Sequence, residues 1–257
     1  MLGTLWVVLG IGILAWSNAP ATAPRSYADC EALFATRPAT IQDAADCYEE
    51  VATAAALAGD SALRLKSLQM RAEASAWVAI RESDKAKRSG SISAGRKTAD
   101  LMIAEFPKDS AGYYWRAVYV SRDAYEKDVG ALIPRETLRA VPGIKKDLVQ
   151  AMNLGPEVHG FGPNRVYGLI YAQMPALVGG DKKIGEDHLK KAYAGAPRFS
   201  VNALELGRFY KDEKRYADAK VVLADLVSLT ATQFDSTRIP ETAEDQAEAL
   251  KIWNAIP

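Results

Sequence analysis

Two histidines, His159 and His188, and two cysteines, Cys30 and Cys47, are the residues of this chain with the widest chemical repertoire. A metal site needs several ligands that converge at fixed spacing, and neither histidine has a second ligand so placed. No metal and no cofactor are therefore expected. His159 falls in a Gly-rich turn, and His188 is expected on the exposed side of a helix. The segment Gly160-Phe161-Gly162-Pro163 is not a phosphate loop, because it lacks a strand before it and a Lys-Ser/Thr pair after it. Gly179-Gly180-Asp181 opens a helix, and helix N-termini attract anions; a plain turn with Asp181 as its cap is the simpler account. Once the cysteines are paired, no Ser/His/Asp or Cys/His set remains, and the carboxylates scatter over helix surfaces. No catalytic residue is assigned.

Aromatic and guanidinium side chains offer a binding chemistry instead. Tyr113, Tyr114, Trp115, Tyr119 and Tyr125 form the densest aromatic cluster in the chain. Tyr114, Trp115, Tyr167 and Tyr171 could line a ligand cleft, with Arg116 and Arg165 meeting a carboxylate through bidentate contacts. The alternative is that these aromatics pack the core between helices. Asn164, beside Arg165, and the Gly179-Gly180-Asp181 turn complete the candidate ligand or partner set.

The elements that must position these residues are helical. Proline ends the first helix of the hairpin spanning residues 160–197 near Met174-Pro175. The second helix starts at the Asp181 cap, and its Glu186 and Asp187 lie one turn before Lys190 and Lys191, the favourable order for helical ion pairs. Gly185, Leu189, Ala192, Tyr193 and Ala196 share one side. Such a hairpin cannot bury its seam alone and requires neighbours of the same kind. They are present: Tyr27 to Ala35 with Ile41 to Ala58, Ser61 to about Ser83, a helix from Ser91 or Ser93 to Phe106, Asp109 to Tyr125, Arg135 to Leu154, Ser200 to Tyr210 with Tyr216 to Leu229, and a capping helix over 241–256. Lys85 to Gly90 is expected as a loop, and Pro142-Gly143 as the start of the regular part of its helix. No stretch alternates long enough for a strand. The expectation is an all-α superhelix of about ten antiparallel helices, an α-solenoid.

Composition and charge narrow the partners. An apolar share of 49% fits a globular chain, and 32 basic residues balance 32 acidic ones. Without concentrated positive charge, nucleic acid and anionic membrane are not expected as main partners. Residues 1–21 read as a secretory signal peptide with cleavage after Ala21, an uncleaved membrane anchor being the rival. Residues 24–257 then form one helical-repeat domain. Cys30 and Cys47 lie about equally far from Pro38 on two antiparallel helices, which puts them face to face; a disulfide in an oxidising compartment is expected, with two buried free thiols as the alternative.

The hairpin after Pro197 fits the tetratricopeptide pattern, with Ala203, Leu206-Gly207 and Tyr210, then Ala219, Leu223 and Leu226. In the hairpin before it, Gly168 and Tyr171, then Gly185, Leu189, Ala192 and Pro197, occupy the same positions around an insertion, Met174 to Gly180. The run GFGPNRVYGLIYAQMPALVGGDKKIGEDHLKKAYAGAPRF, followed by Lys214 to Ala219, resembles the T component of tetratricopeptide-associated tripartite ATP-independent periplasmic (TRAP) transporters. The helix with Tyr113 to Ala117 is similar too, and the resemblance covers roughly Ala94 to Leu229. It implies a non-enzymatic periplasmic protein that oligomerises, as a trimer, and binds the transporter's solute-binding protein and a small hydrophobic or carboxylate ligand. Many members are lipoproteins, and this chain has no acceptor cysteine after its apolar leader. A general tetratricopeptide scaffold of a cell-envelope assembly or secretion complex is the alternative, and a helical-repeat enzyme a third.

Overall fold

The computed structural model describes residues 25–131 and 134–257. The expected leader, residues 1–21, lies outside them. Among the described residues there is no strand. The described residues form eleven α-helices: α1 (Tyr27–Ala35), α2 (Ile41–Ala58), α3 (Ser61–Arg81), α4 (Lys85–Glu105), α5 (Ser110–Asp128), α6 (Arg135–Leu154), α7 (Val158–Gln173), α8 (Lys182–Gly195), α9 (Ser200–Asp212), α10 (Tyr216–Ser228) and α11 (Ile239–Ala255). Each packs on its neighbours in sequence. The odd-numbered helices from α3 to α11 also touch one another in succession, so they make one continuous layer with the even-numbered helices outside it. No helix of the described residues is long and apolar enough to cross a membrane.

Local chemistry explains the helix boundaries. Asp60, Asp84, Asp109 and Asp181 each cap the helix that follows, their carboxylates accepting from backbone amides of the first turn. The charged run from Lys85 to Gly90 is the start of α4 and not a loop. Asp84 accepts from the Lys87 amide at 2.9 Å, and Arg88 is held by the Glu82 carbonyl at 2.8 Å and by Glu126 at 3.0 Å. Lysine and arginine are good helix formers, so a run of them is an exposed helical face as readily as a loop. Pro142 lies inside α6, which runs unbroken from Arg135. Its first turn is held by the Asp128 carboxylate, which accepts from the Glu136 and Thr137 amides at 3.2 and 2.7 Å. The last helix begins at Ile239, with Pro240 in its first turn, where a missing amide costs no hydrogen bond.

Three apolar cores follow from these faces. One lies among α1, α2 and α3, one runs from α2 and α3 to α6 around Met102, Tyr119 and Leu148, and one joins α8 to α11 around Leu206, Leu223 and Leu226. Helices α7 and α8 approach closely because both crossing residues are glycine. A Cβ on Gly168 would stand 2.9 Å from the Gly185 carbonyl, and one on Gly185 would stand 2.8 Å from the Ala172 amide. Cys30 and Cys47 form a disulfide between α1 and α2, with 5.4 Å between their Cα atoms. Such a bond belongs to an oxidising compartment.

Among the described residues, the first helices and the last one meet through charge rather than through helix packing. Arg37, in the turn after α1, donates to Glu241 of α11 at 3.0 and 2.7 Å across 204 residues of sequence. Two further pairs, Glu73 with Arg238 and Arg81 with Glu244, join α3 to the same C-terminal segment. Only the Arg37–Glu241 pair is almost fully buried, with side chains 1% and 6% exposed. Removing one partner of a buried pair strands the other charge, whereas a solvated pair contributes little. Glu241→Gln is therefore expected to destabilise the protein by about 3 kcal/mol, and Glu244→Gln by less than about 1 kcal/mol. Urea unfolding of the two variants measures the difference, and equal losses would contradict it.

Candidate functional site

Helix α7 does not begin as a regular helix. His159, Gly160 and Phe161 all adopt left-handed backbone, with φ of 50°, 60° and 59°. Left-handed geometry at residues other than glycine costs about 1 to 2 kcal/mol each, so it persists only where the surroundings impose it. Here they do. The Gly160 carbonyl accepts from the Asn202 amide at 2.9 Å and from Arg165 at 3.3 Å. Gly160 itself rests on the Phe199 ring, which a Cβ would enter at 2.3 Å. The regular part of α7 starts beside Pro163, a residue suited to a first turn. The kink carries the His159 side chain into the protein.

His159 is the centre of a buried polar cluster. Its Nδ1 lies 2.8 Å from the Tyr114 hydroxyl and 3.1 Å from an Arg165 Nη. Its Nε2 lies 3.2 Å from Arg238 and 3.6 Å from Glu73. A guanidinium can only donate and one stands against each ring nitrogen; Arg238 has the Glu73 carboxylate as its acceptor and Arg165 has no carboxylate, so we assign the lone pair to Nδ1 and the ring proton to Nε2, on the side of Glu73. Rings enclose the imidazole, with Trp115 and Phe199 edge-on at 5.0 Å and Tyr114 stacked at 5.4 Å.

Electrostatics keeps this histidine neutral. Burial, with the positive charges of Arg238 and Arg165, lowers its pKa to about 4 against the opposing pull of Glu73. Burial pushes the Glu73 carboxyl up, but its bond to His159 and the charges of Arg238 and Arg37 outweigh that and hold it below the usual carboxylate range. Arg165 is buried and meets no carboxylate: its acceptors are Asn202 Oδ1 at 2.7 Å, the Gly160 carbonyl, Tyr114 and His159. Burial lowers its pKa. Asn202, 1% exposed, spends its amide on the Gly160, Ala192 and Ala196 carbonyls at 2.9, 3.0 and 3.1 Å. Two of those carbonyls lie at the end of α8, where they also accept from the Ala196 and Phe199 amides, both at 3.1 Å. A single asparagine thus ties the α7 kink, the end of α8 and the start of α9 together.

The cluster opens on a cavity of about 450 Å³ lined by Glu73, His159, Phe199, Thr237 and Arg238 among others. Next to it, the Ser200 hydroxyl donates to Asp245 at 2.6 Å. Burial pushes the Asp245 carboxyl up to about 6, against the Ser200 bond and the charge of Arg238. A weakly basic, neutral imidazole with one carboxylate and two guanidiniums around it is built to hold polar groups in place. It is poorly suited to abstract a proton at neutral pH.

The sequence-derived candidates divide into four groups. Tyr114, Trp115 and Arg165 do converge, around His159. Arg116 does not join them; it makes a bidentate pair with Asp147 of α6 at 2.7 and 2.6 Å. Asn164, Tyr167 and Tyr171 gather instead with His188, whose Nδ1 lies 3.0 Å from Asn164 and whose ring lies 4.7 Å from that of Tyr167. His188 is thus half-buried and not exposed, because α7 covers it. Gly179, at φ 90°, and Gly180 make a turn, and Asp181 caps the Lys183 and Ile184 amides at 2.9 and 3.1 Å. The insertion stays beside Tyr171, whose carbonyl accepts from the Asp181 amide at 3.0 Å. It is not beside Arg165, which turns into the cluster at the other end of α7. Glu73, Asn202 and Arg238 carry no signal in the sequence because they lie far apart in it, and His159 reads there only as part of a Gly-rich turn.

Fold and site together define an all-α stack of helix pairs with a buried polar centre at the head of α7. No family model matches the chain, and no curated protein matches it with significance.

The titrations of this centre have opposite signs. Asp245 binds its proton more tightly when folded, so its contribution to stability is complete below about pH 4 and is lost as pH rises through about 6. His159 resists its proton when folded, so its contribution is present above about pH 6.5 and is lost as pH falls through about 4. Asp245→Asn keeps an acceptor for Ser200 and removes one of the two. The variant is expected to gain on the parent protein by up to about 2 kcal/mol between pH 4 and pH 7, read from urea unfolding at each pH. A stability difference independent of pH would contradict the assignment.

Proposed function

We propose that this chain is a non-enzymatic, tetratricopeptide-type accessory protein of a TRAP-type transporter in the periplasm, and that it binds the transporter's solute-binding protein and a small organic ligand. The observation that carries the reading is the position of the stretch that resembles the family. The stretch begins inside the left-handed kink of His159 to Phe161 and supplies Arg165 to the buried centre, a feature that an ordinary tetratricopeptide hairpin of about 34 residues does not require. The tetratricopeptide positions Ala203, Leu206, Tyr210, Ala219, Leu223 and Leu226 are buried in one core, which supports the repeat assignment. The disulfide supports export. A neutral His159 beside the 450 Å³ cavity supports binding over catalysis.

Partner contact is assigned to the insertion. Leu177 is fully exposed and Val178 is 44% exposed on a short turn that follows α7. Exposed apolar side chains at the tip of a built turn are candidates for an interface centre. Assembly as a trimer is proposed on the resemblance alone.

Affinity capture from envelope extract with the mature protein as bait is expected to recover a periplasmic solute-binding protein, and Leu177→Asp to weaken that recovery about tenfold or more. Repeated capture without any such binding protein would contradict the reading. Recovery unaffected by Leu177→Asp would move the interface away from the insertion.

A further inference from the structure

The wall of the His159 cavity carries one guanidinium edge and one carboxylate oxygen that no other group of the described residues uses. Arg25, Arg37, Arg64, Arg81 and Arg116 each turn Nε and Nη2, the two parallel donors of the guanidinium fork, to the oxygens of one carboxylate. Arg238, in the cavity wall, does not. Its Nη1 donates to Glu73 and stands 3.2 Å from His159 Nε2. Its Nε and Nη2 make no hydrogen bond among the described residues, and neither is sealed from solvent. The side chain is nonetheless held in place: it is 14% exposed, and its Cζ lies 4.6 Å from the centre of the Phe199 ring.

Asp235 stands three residues earlier in the same wall. Its Oδ1 accepts from the Thr237 amide and hydroxyl at 2.9 and 2.7 Å. Its Oδ2 accepts from no group of the described residues and is likewise open. Asp235 and Arg238 do not pair with each other, because Arg238 turns to Glu73 of α3. Arg198, the other cation of the wall, is half-exposed and meets Asp225 at 3.3 Å. Ala196 and Pro197 add apolar surface, and the volume of about 450 Å³ suits a small molecule. Charge then decides what kind. An anion alone would take the Arg238 edge and leave its charge beside the bare Asp235 oxygen, and a cation alone would pair with Asp235 and leave two donors of Arg238 empty. A ligand that carries both charges satisfies both groups.

We infer that this cavity takes a free α-amino acid with an apolar side chain, its carboxylate bidentate on Nε and Nη2 of Arg238, its ammonium on Asp235 Oδ2 and its side chain along Ala196 and Pro197. This ligand class rests on the small-ligand reading of the cavity and is independent of the transporter partner. The neutral imidazole of His159 adds no charge to the wall, so the balance between Arg238 and Asp235 sets the preference.

The test titrates the mature protein at neutral pH with L-leucine, with 4-methylpentanoate as the amine-free control and 3-methylbutylamine as the carboxylate-free control. One L-leucine is expected to bind per chain, saturably, and at least about tenfold more tightly than either control, since each control forfeits one charge-assisted contact. The amide resonances of Asp235 to Arg238 are expected to shift and those around Tyr171 to stay. Arg238→Lys, which keeps a cation for Glu73 but has no fork, should weaken L-leucine about tenfold. Asp235→Asn, which keeps an oxygen for Thr237, should weaken L-leucine and strengthen 4-methylpentanoate, so that the preference between them is lost. Absence of saturable binding, a control that binds as tightly as L-leucine, shifts centred away from residues 235–238, or an unchanged preference in Asp235→Asn would each overturn the inference. The three probes and the resonance shifts are read on the parent protein and do not depend on how well either variant folds. Tight binding of a control in place of L-leucine overturns the ligand class and leaves the small-ligand reading standing, and capture of the solute-binding protein, measured separately, tests the transporter reading alone.

Discussion

A guanidinium buried without a carboxylate is the constraint on which the middle of this protein depends. Arg165 cannot give up its charge at neutral pH, so every acceptor around it must be turned toward it. The acceptors available are Asn202, the Gly160 carbonyl, the Tyr114 hydroxyl and His159 Nδ1. The Gly160 carbonyl reaches Arg165 only if the chain takes the left-handed kink. His159 can accept only as the neutral ring with its proton on the far nitrogen, and that nitrogen lies 3.6 Å from the Glu73 carboxylate of α3. From one side chain the requirement thus passes to α3, α5, α7 and α9. Hydrophobic packing alone would not demand that register, because apolar contacts have no direction.

The same network reaches the first and last helices of the described residues. Glu73 is shared between His159 and Arg238, and Arg238 belongs to the segment that also carries Thr237 and leads into Glu241. A stack of helix pairs in which each pair touches only its neighbours has no intrinsic reason to bring its first and last helices together. In this chain arginine–carboxylate pairs do so, one of them nearly sealed from solvent. The closure creates the His159 cavity, since it is walled on one side by Glu73 of α3 and on the other by residues 235–238. Binding in that cavity and separation of these helices are therefore linked: a ligand that needs both walls stabilises the closed form by its own affinity.

Much of the fold was legible because periodicity and caps are local. The hairpin boundaries at Met174-Pro175 and Asp181, the cysteine pair across Pro38 and the seam Gly185–Leu189–Ala192 all follow from residues a turn or two apart. Lys85 to Gly90 misled because a run of cations suits a helix surface as well as a loop, and the Asp84 cap that decides between them is a single residue. The site was only half legible. Tyr114, Trp115 and Arg165 were drawn together by type, but Arg116 next to them points to Asp147, since adjacent helical residues face different ways. Glu73, Asn202 and Arg238 carry no local signal at all. They become partners only after four helices have stacked, and a glycine-flanked histidine reads as a turn until the left-handed kink turns it inward.

The account stands on His159 being a neutral acceptor for Arg165 at one nitrogen and a donor toward Glu73 at the other. With only two histidines in the chain, ¹⁵N-labelled histidine makes this directly visible by NMR, and a His188→Gln variant assigns the signals. The His159 ring is expected to hold its proton on Nε2 from pH 8 down to about 5 and to take a second proton only near pH 4. A ring that is already cationic at pH 6, or that carries its proton on Nδ1, would contradict it.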